Sequence, residues 1–152
     1  MGLRTKISEA LKTATKAKDG ARLSTLRLIN AAIKDRDIAL RAEGQNDGAS
    51  DADVLVILGK MVKQRQESAR TYEEGGRLEL AEREIAEIAV IEDFLPRQLS
   101  DVEIAAAISD TIEATSASSI RDMGKVIGAL KSKYTGQMDF GRVGPMVKDR
   151  LT

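Results

Sequence analysis

Arg83-Glu-Ile-Ala-Glu-Ile-Ala-Val-Ile-Glu-Asp-Phe-Leu-Pro-Arg-Gln-Leu-Ser-Asp-Val-Glu103 is the stretch on which the reading of this chain turns. An apolar helix runs toward Phe94-Leu95 and meets Pro96, whose ring and missing N–H cannot continue it. Four residues on, Ser100 can cap a new helix, with Glu103 placed to reach back as the other half of a capping box. The stop and restart divide the 152 residues into a helical domain over 1–96 and a smaller helical domain over 97–152.

Working outward, the 3.6-residue apolar period predicts helices throughout. Helix one covers about 3–18, and Asp19-Gly20 forms the turn after it, its Gly suited to a left-handed cap. Helix two covers about 21–42 with Leu23, Leu26, Ile29 and Ile33 inward. Residues 43–49 read as a loop. Ser50 and Asp53 open helix three, which carries Val54, Leu58, Met61, Ala69 and Tyr72 toward a core and breaks at Gly75-Gly76. Helix four, about 77–95, presents Ala81, Ile85, Ile88 and Leu95. Its end is apolar on more than one face, which implies burial from two sides, where the domains meet. In the second domain helix five covers about 101–115. Ser119 and Asp122 start helix six, with Ile120, Met123, Ile127 and Leu130 inward. Asp139 caps a last helix carrying Val143, Val147 and Leu151, whose start Pro145 could delay. No stretch alternates as a strand does. The expected fold is all-α: an N-terminal bundle of about four helices and a three-helix tail.

Composition narrows the chemistry. There is no Cys and no His, which removes thiol nucleophiles, imidazole acid–base catalysis and most zinc or redox sites. No window approaches the roughly 18 apolar residues of a spanning helix, and Met1-Gly-Leu-Arg-Thr-Lys6 lacks the apolar run of a secretory signal. The expectation is a soluble cytoplasmic protein with no membrane, metal or cofactor partner. The formal net charge of zero hides a segregation. Residues 1–42 carry ten Lys and Arg against four Asp and Glu, while 43–97 carry seven against thirteen. Two readings stay open: acidic and basic helices pair inside the fold, or a basic surface awaits an anionic partner such as RNA.

Catalytic constellations fail one by one. Gly124-Lys125 and Lys131-Ser132 do not form a phosphate loop. Glu79, Glu82, Glu84 and Glu87 lack the His that di-iron bundles place beside their carboxylates. Ser116, Ser118 and Ser119 have no elbow or oxyanion pocket to activate them. The chain is expected to have no activity alone. What remains is a binding surface. Arg22, Arg27 and Lys34 are read near one face of helix two, at steps of five and seven residues. Lys60 and Lys63 recur on helix three, while Arg65 beside the apolar stripe reads as a structural ion pair. Lys125, Lys131 and Lys133 populate the final basic segment. With four aromatics in the chain, any RNA contact falls on phosphates and shape.

Four runs carry a resemblance: Arg22-Leu-Ser-Thr-Leu-Arg-Leu-Ile-Asn-Ala-Ala-Ile-Lys34, Lys63-Gln-Arg-Gln-Glu-Ser68, Glu92-Asp-Phe-Leu-Pro-Arg-Gln-Leu-Ser100 and Asp122-Met-Gly-Lys-Val-Ile-Gly128. Together, in order and over the whole chain, they resemble the YqeY family of GatB/YqeY-domain proteins. These are similar to the C-terminal tail of the GatB subunit of tRNA-dependent amidotransferases. The resemblance implies a two-domain helical fold and a link to carbon–nitrogen ligase activity with glutamine as amido-N-donor. In the amidotransferase the tail helps hold tRNA while the chemistry happens elsewhere. One departure stands out: the family's Gly-Arg-Ala-Asp-Gly turn is replaced by Gly136-Gln-Met-Asp-Phe140, which removes its Arg. The implied function is a non-catalytic tRNA- or RNA-binding accessory module. The alternative is a protein-interaction module docking through an apolar inter-domain surface.

Overall fold

The helix ends shape this architecture, and most are closed by a specific backbone or side-chain solution. The computed structural model describes residues 2–152, and among them every regular element is helical, with no strand. In order they are α1 (Leu3–Lys16), α2 (Gly20–Ala42), α3 (Asp51–Glu74), α4 (Leu78–Glu92), α5 (Asp101–Ala114), a 3₁₀ turn (Ile120–Asp122), α6 (Met123–Tyr134) and α7 (Phe140–Leu151). The chain divides into two compact units between Leu95 and Pro96.

Two starts follow the sequence grammar closely. Ser50 accepts from Asp53 N–H at 3.2 Å while the Asp53 carboxylate accepts from Ser50 N–H at 3.0 Å. Ser100 and Glu103 repeat this arrangement, with 3.2 and 3.1 Å. Each box satisfies two N–H groups that a helix start leaves without partners.

The helix ends were less legible. The left-handed residue closing α1 is Lys18 (φ 55°), whereas Gly20 is already the first residue of α2, capped by Asp19. Asp19 N–H reaches Ala14 O at 3.1 Å and Lys18 N–H reaches Thr15 O at 3.2 Å, a Schellman closure. The same pair of bonds closes α2 around Gly44, α3 around Gly76 and α5 around Ser116. Helix α4 stops at Glu92, short of the expected Leu95. Pro96 disfavours helical backbone at Leu95, and its ring would meet the carbonyl of Glu92. Phe94 and Leu95 instead bond one residue tighter, to Ile91 O and Glu92 O, at 3.1 Å each. Pro145 lies inside α7 without delaying its start at Phe140.

In the first unit the core joins Ile7 of α1, Leu26, Ile29 and Ile33 of α2, Val54 and Leu58 of α3, and Ile91 of α4. Val90, Phe94 and Leu95 pack against that same core, which accounts for the broad apolar end of α4 within its own unit. Helices α3 and α4 form a hairpin through Gly75-Gly76, with Ala69 of α3 and Ala81 of α4 buried. Thr25 is the buried polar side chain among the described residues, its hydroxyl donating to Ala21 O at 3.3 Å. The second unit gathers Ile104 and Ile108 of α5, Val126 and Leu130 of α6, and Val143, Val147 and Leu151 of α7.

Four expected core positions differ. Ile85 and Ile120 are 51% and 44% exposed. Tyr72 on α3 and Ile88 on α4 are only half-buried, outside the main apolar cluster. An amphipathic period marks a face, but the arc that neighbours cover is narrower than the apolar arc on α4 and at the start of α6.

A left-handed backbone costs a non-glycine residue roughly 1–2 kcal/mol, partly offset by the extra unfolded freedom a glycine brings. Lys18→Gly and Ser116→Gly are therefore each expected to stabilise by roughly 0.5–1 kcal/mol. Urea unfolding monitored by circular dichroism reads this directly, and a loss of stability in either variant would contradict the closure described.

Candidate nucleic-acid interface

The basic residues of α2 separate into two groups once their neighbours are in place. Arg22 donates to Asp93 Oδ2 at 2.9 Å, joining the start of α2 to the end of α4. Its guanidinium is half-buried, whereas Arg27 and Lys34 are exposed. Five residues from Arg22 to Arg27 turn the helix by about 140°, which carries Arg22 to the inward side. Arg22 is thus a structural ion pair and does not share a face with Arg27 and Lys34. Exposed pairs of this kind are worth about 0.2–1 kcal/mol, so Arg22 contributes to the packing of α2 on α4 without dominating it.

Arg27 and Lys34 are seven residues apart, and the next step of seven reaches Arg41, also exposed. Each step turns only about 20° and rises about 10 Å, so the three cations form a straight stripe. The side chains of Arg27 and Lys34 make no hydrogen bond or ion pair among the described residues. Sequence reasoning passed over Arg41, although the seven-residue spacing that marks it was legible.

Arg41 stands beside a clamp that fixes the loop after α2. Arg4 forks onto both oxygens of Asp37 at 2.7 and 2.8 Å, and Asp37 also accepts from Ala49 N–H at 2.7 Å. The guanidinium, then the Ala49 amide, hold the Asp37 carboxyl down at about 2. Gly48 (φ +81°) crosses directly over this pair, where a Cβ would come within 2.9 Å of Asp37 Oδ1.

The remaining candidates are dispersed. On α3, Lys60 and Lys63 are exposed. Arg65 donates to Glu87 at 3.0 Å and to Met61 O at 3.2 Å, so it is the structural pair the sequence implied. In the second unit Lys125, Lys131 and Lys133 are exposed on α6 but point apart, by about 120° and 160° around the helix. Lys131 lies over the Phe140 ring at 6.0 Å and Lys133 over the Tyr134 ring at 5.5 Å. Both rings thereby already face a cation, within the range of a cation–π contact. Arg97, from the third of the family-like runs, forks onto Glu103 at 2.8 and 2.7 Å and reinforces the α5 capping box. Leu99 N–H donates to Gln137 O at 2.9 Å, and the Gln137 side chain donates to Arg97 O at 3.2 Å. This tie between 97–99 and the turn at 136–138 left no sequence signal.

Residues 4–151 match the family described as Yqey-like protein. The chain belongs to the YqeY family. Among curated relatives, "Altered inheritance of mitochondria protein 41, mitochondrial" of Lachancea thermotolerans is 29% identical over 108 residues, covering 70% of this chain and 56% of the relative. The protein of the same name from Clavispora lusitaniae is 35% identical over 85 residues, covering 56% and 46%. An uncharacterised protein of Schizosaccharomyces pombe is 36% identical over 53 residues, covering 35% and 43%. This YqeY chain spans about half the length of the curated relatives it matches. Among its described residues no helix is long and apolar enough to cross a membrane.

Arg97, then the Ser100 amide, hold the Glu103 carboxyl down at about 2, as Arg4 does for Asp37. Unfolded, the two groups titrate near 4.5 and 3.8. Each therefore adds stability fully above its unfolded value and loses it as pH falls through about 2. The stability gap between the wild type and Asp37→Asn, measured in urea, is expected to be constant near neutrality and to close between about pH 4 and pH 2. A gap that persists undiminished at the acid end would show that the carboxylate charge is not what stabilises the loop.

Proposed function

We propose that this YqeY protein is a non-catalytic RNA-binding accessory module that holds tRNA by its phosphates. The observation that carries the reading is the exposed stripe of Arg27, Lys34 and Arg41, straight along α2, with two of its three cations unpaired among the described residues. At spacings of about 10 Å the charges sit beyond the Debye length of physiological salt, so they repel one another little while a polyanion can engage all three. Helix geometry keeps them in line without a ligand, so binding them together needs no rearrangement of the backbone. Likeness to the GatB tail supports tRNA as the RNA, and amide transfer, where it occurs, belongs to a partner subunit. The cytoplasmic setting expected from the sequence is part of this proposal, alongside fungal relatives whose names are mitochondrial.

Titration of the protein with tRNA at several salt concentrations tests it. Affinity is expected to fall with a log–log slope of about −0.7 to −0.9 per phosphate contact. Replacing Arg27, Lys34 and Arg41 together by Ala makes the slope shallower and weakens binding to all tRNAs alike, since phosphate contacts position without specifying. Arg22→Ala leaves the slope unchanged, because Arg22 is already paired. Binding that ignores salt, or that is lost equally in Arg22→Ala, would overturn the assignment.

A further inference from the structure

Of the large apolar side chains exposed on the first unit, Ile38, Leu78 and Ile85 fall on two lines, while Leu28 and Val56 lie off them. On α4 Leu78 and Ile85 are 62% and 51% exposed, and they fall on one line with Glu82, Ala89 and Glu92, all exposed. The spacing 78, 82, 85, 89, 92 is the 4-3-4-3 repeat of a two-helix seam. On α2 the outward line is Arg27, Ala31, Lys34, Ile38 and Arg41, with the same spacing, all exposed, and Ile38 at 58%. One seam is apolar and acidic, the other apolar and basic. Set antiparallel, Lys34 faces Glu82, Ala31 faces Ile85 and Ile38 faces Leu78, while Arg27 lies a turn from Glu92.

A single chain cannot mate these two seams. Helices α2 and α4 already share a core through other faces, with Ile29 and Ile33 of one and Ile91 of the other fully or nearly fully buried. Two rigid helices have one mutual face, so within one chain the outer seams stay apart. We propose that a second copy of this chain meets them, as a two-fold pair in which α2 of each protomer packs on α4 of the other. The pair buries both lines at once and closes, as isologous contacts do. A second copy is the occupant for which both complementary halves stand in the same sequence, matched in charge and in repeat. The inference does not depend on RNA binding, and its test contains no RNA.

Sedimentation equilibrium of the full chain at low ionic strength, over a rising concentration series, is expected to show twice the mass of the chain. Lys34→Glu places like charges at both contacts of the pair, and so does Glu82→Lys. Each variant alone is expected to sediment as a monomer with unchanged helical circular dichroism. An equimolar mixture of the two restores opposite charges at both contacts, and the dimer mass is expected to return. Ile85→Asp is expected to abolish association in every combination. A wild type that stays monomeric throughout the series would overturn the proposal. Variants that associate as the wild type does, or a mixture that fails to recover the dimer, would overturn it equally.

Discussion

Pro96 is the constraint from which much of this molecule follows. Pro96 disfavours helix at Leu95 and removes an N–H from the ladder, and the eight residues between Glu92 and Asp101 find other partners. Phe94 and Leu95 tighten their hydrogen bonds and turn into the core of the first unit. Asp93, freed at the end of α4, receives Arg22 from the start of α2. Beyond the proline, Arg97 and Leu99 are tied to the turn at 136–138, and Ser100 restarts the helix. A single ring thereby sets where α4 ends, which cation it captures, and how the second unit begins.

The segregated charge of the sequence finds two uses. Part is absorbed inside the fold: Arg22 with Asp93 links a basic segment to an acidic one, while Arg4 with Asp37 and Arg65 with Glu87 pair within their own segments. Such pairs orient helices and loops, and the free energy of folding comes mainly from buried aliphatic side chains at about 1.5–3 kcal/mol each. The surplus is displayed. Basic residues run along the outside of α2 and acidic ones along the outside of α4, each line interleaved with apolar side chains. The same α2 stripe serves the RNA reading and the inferred contact between copies, so the two would compete for one surface.

Several residues of the family-like runs turn out to be structural. Arg22 closes α2 on α4, Arg65 bridges α3 and α4, and Arg97 reinforces a capping box. Arg41, outside those runs, belongs to the exposed stripe. Residue type alone separated none of these, because an arginine that pairs and an arginine that waits for a phosphate are written alike. Two local signals distinguished some of them: the place of Arg65 beside the apolar stripe, and the seven-residue step from Arg27 through Lys34 to Arg41.

The sequence by itself determined the helical class, the Pro96 stop, both serine capping boxes and most of the inward stripes. These depend on period, on φ restriction and on hydrogen bonds within a few residues, all of which are local. The left-handed closures at Lys18 and Ser116 escaped because those residues carry no glycine signal, and only the surrounding hydrogen bonds compel the conformation. Tertiary structure alone decided how wide an arc of each helix is covered. Ile85 lies where periodicity misleads, apolar yet exposed, and the partner that takes up Arg22 stands on another part of the chain, at Asp93. A helix carries its own period, but the width of its covered arc is set by neighbours far away in sequence, and that is the information a local pattern does not hold.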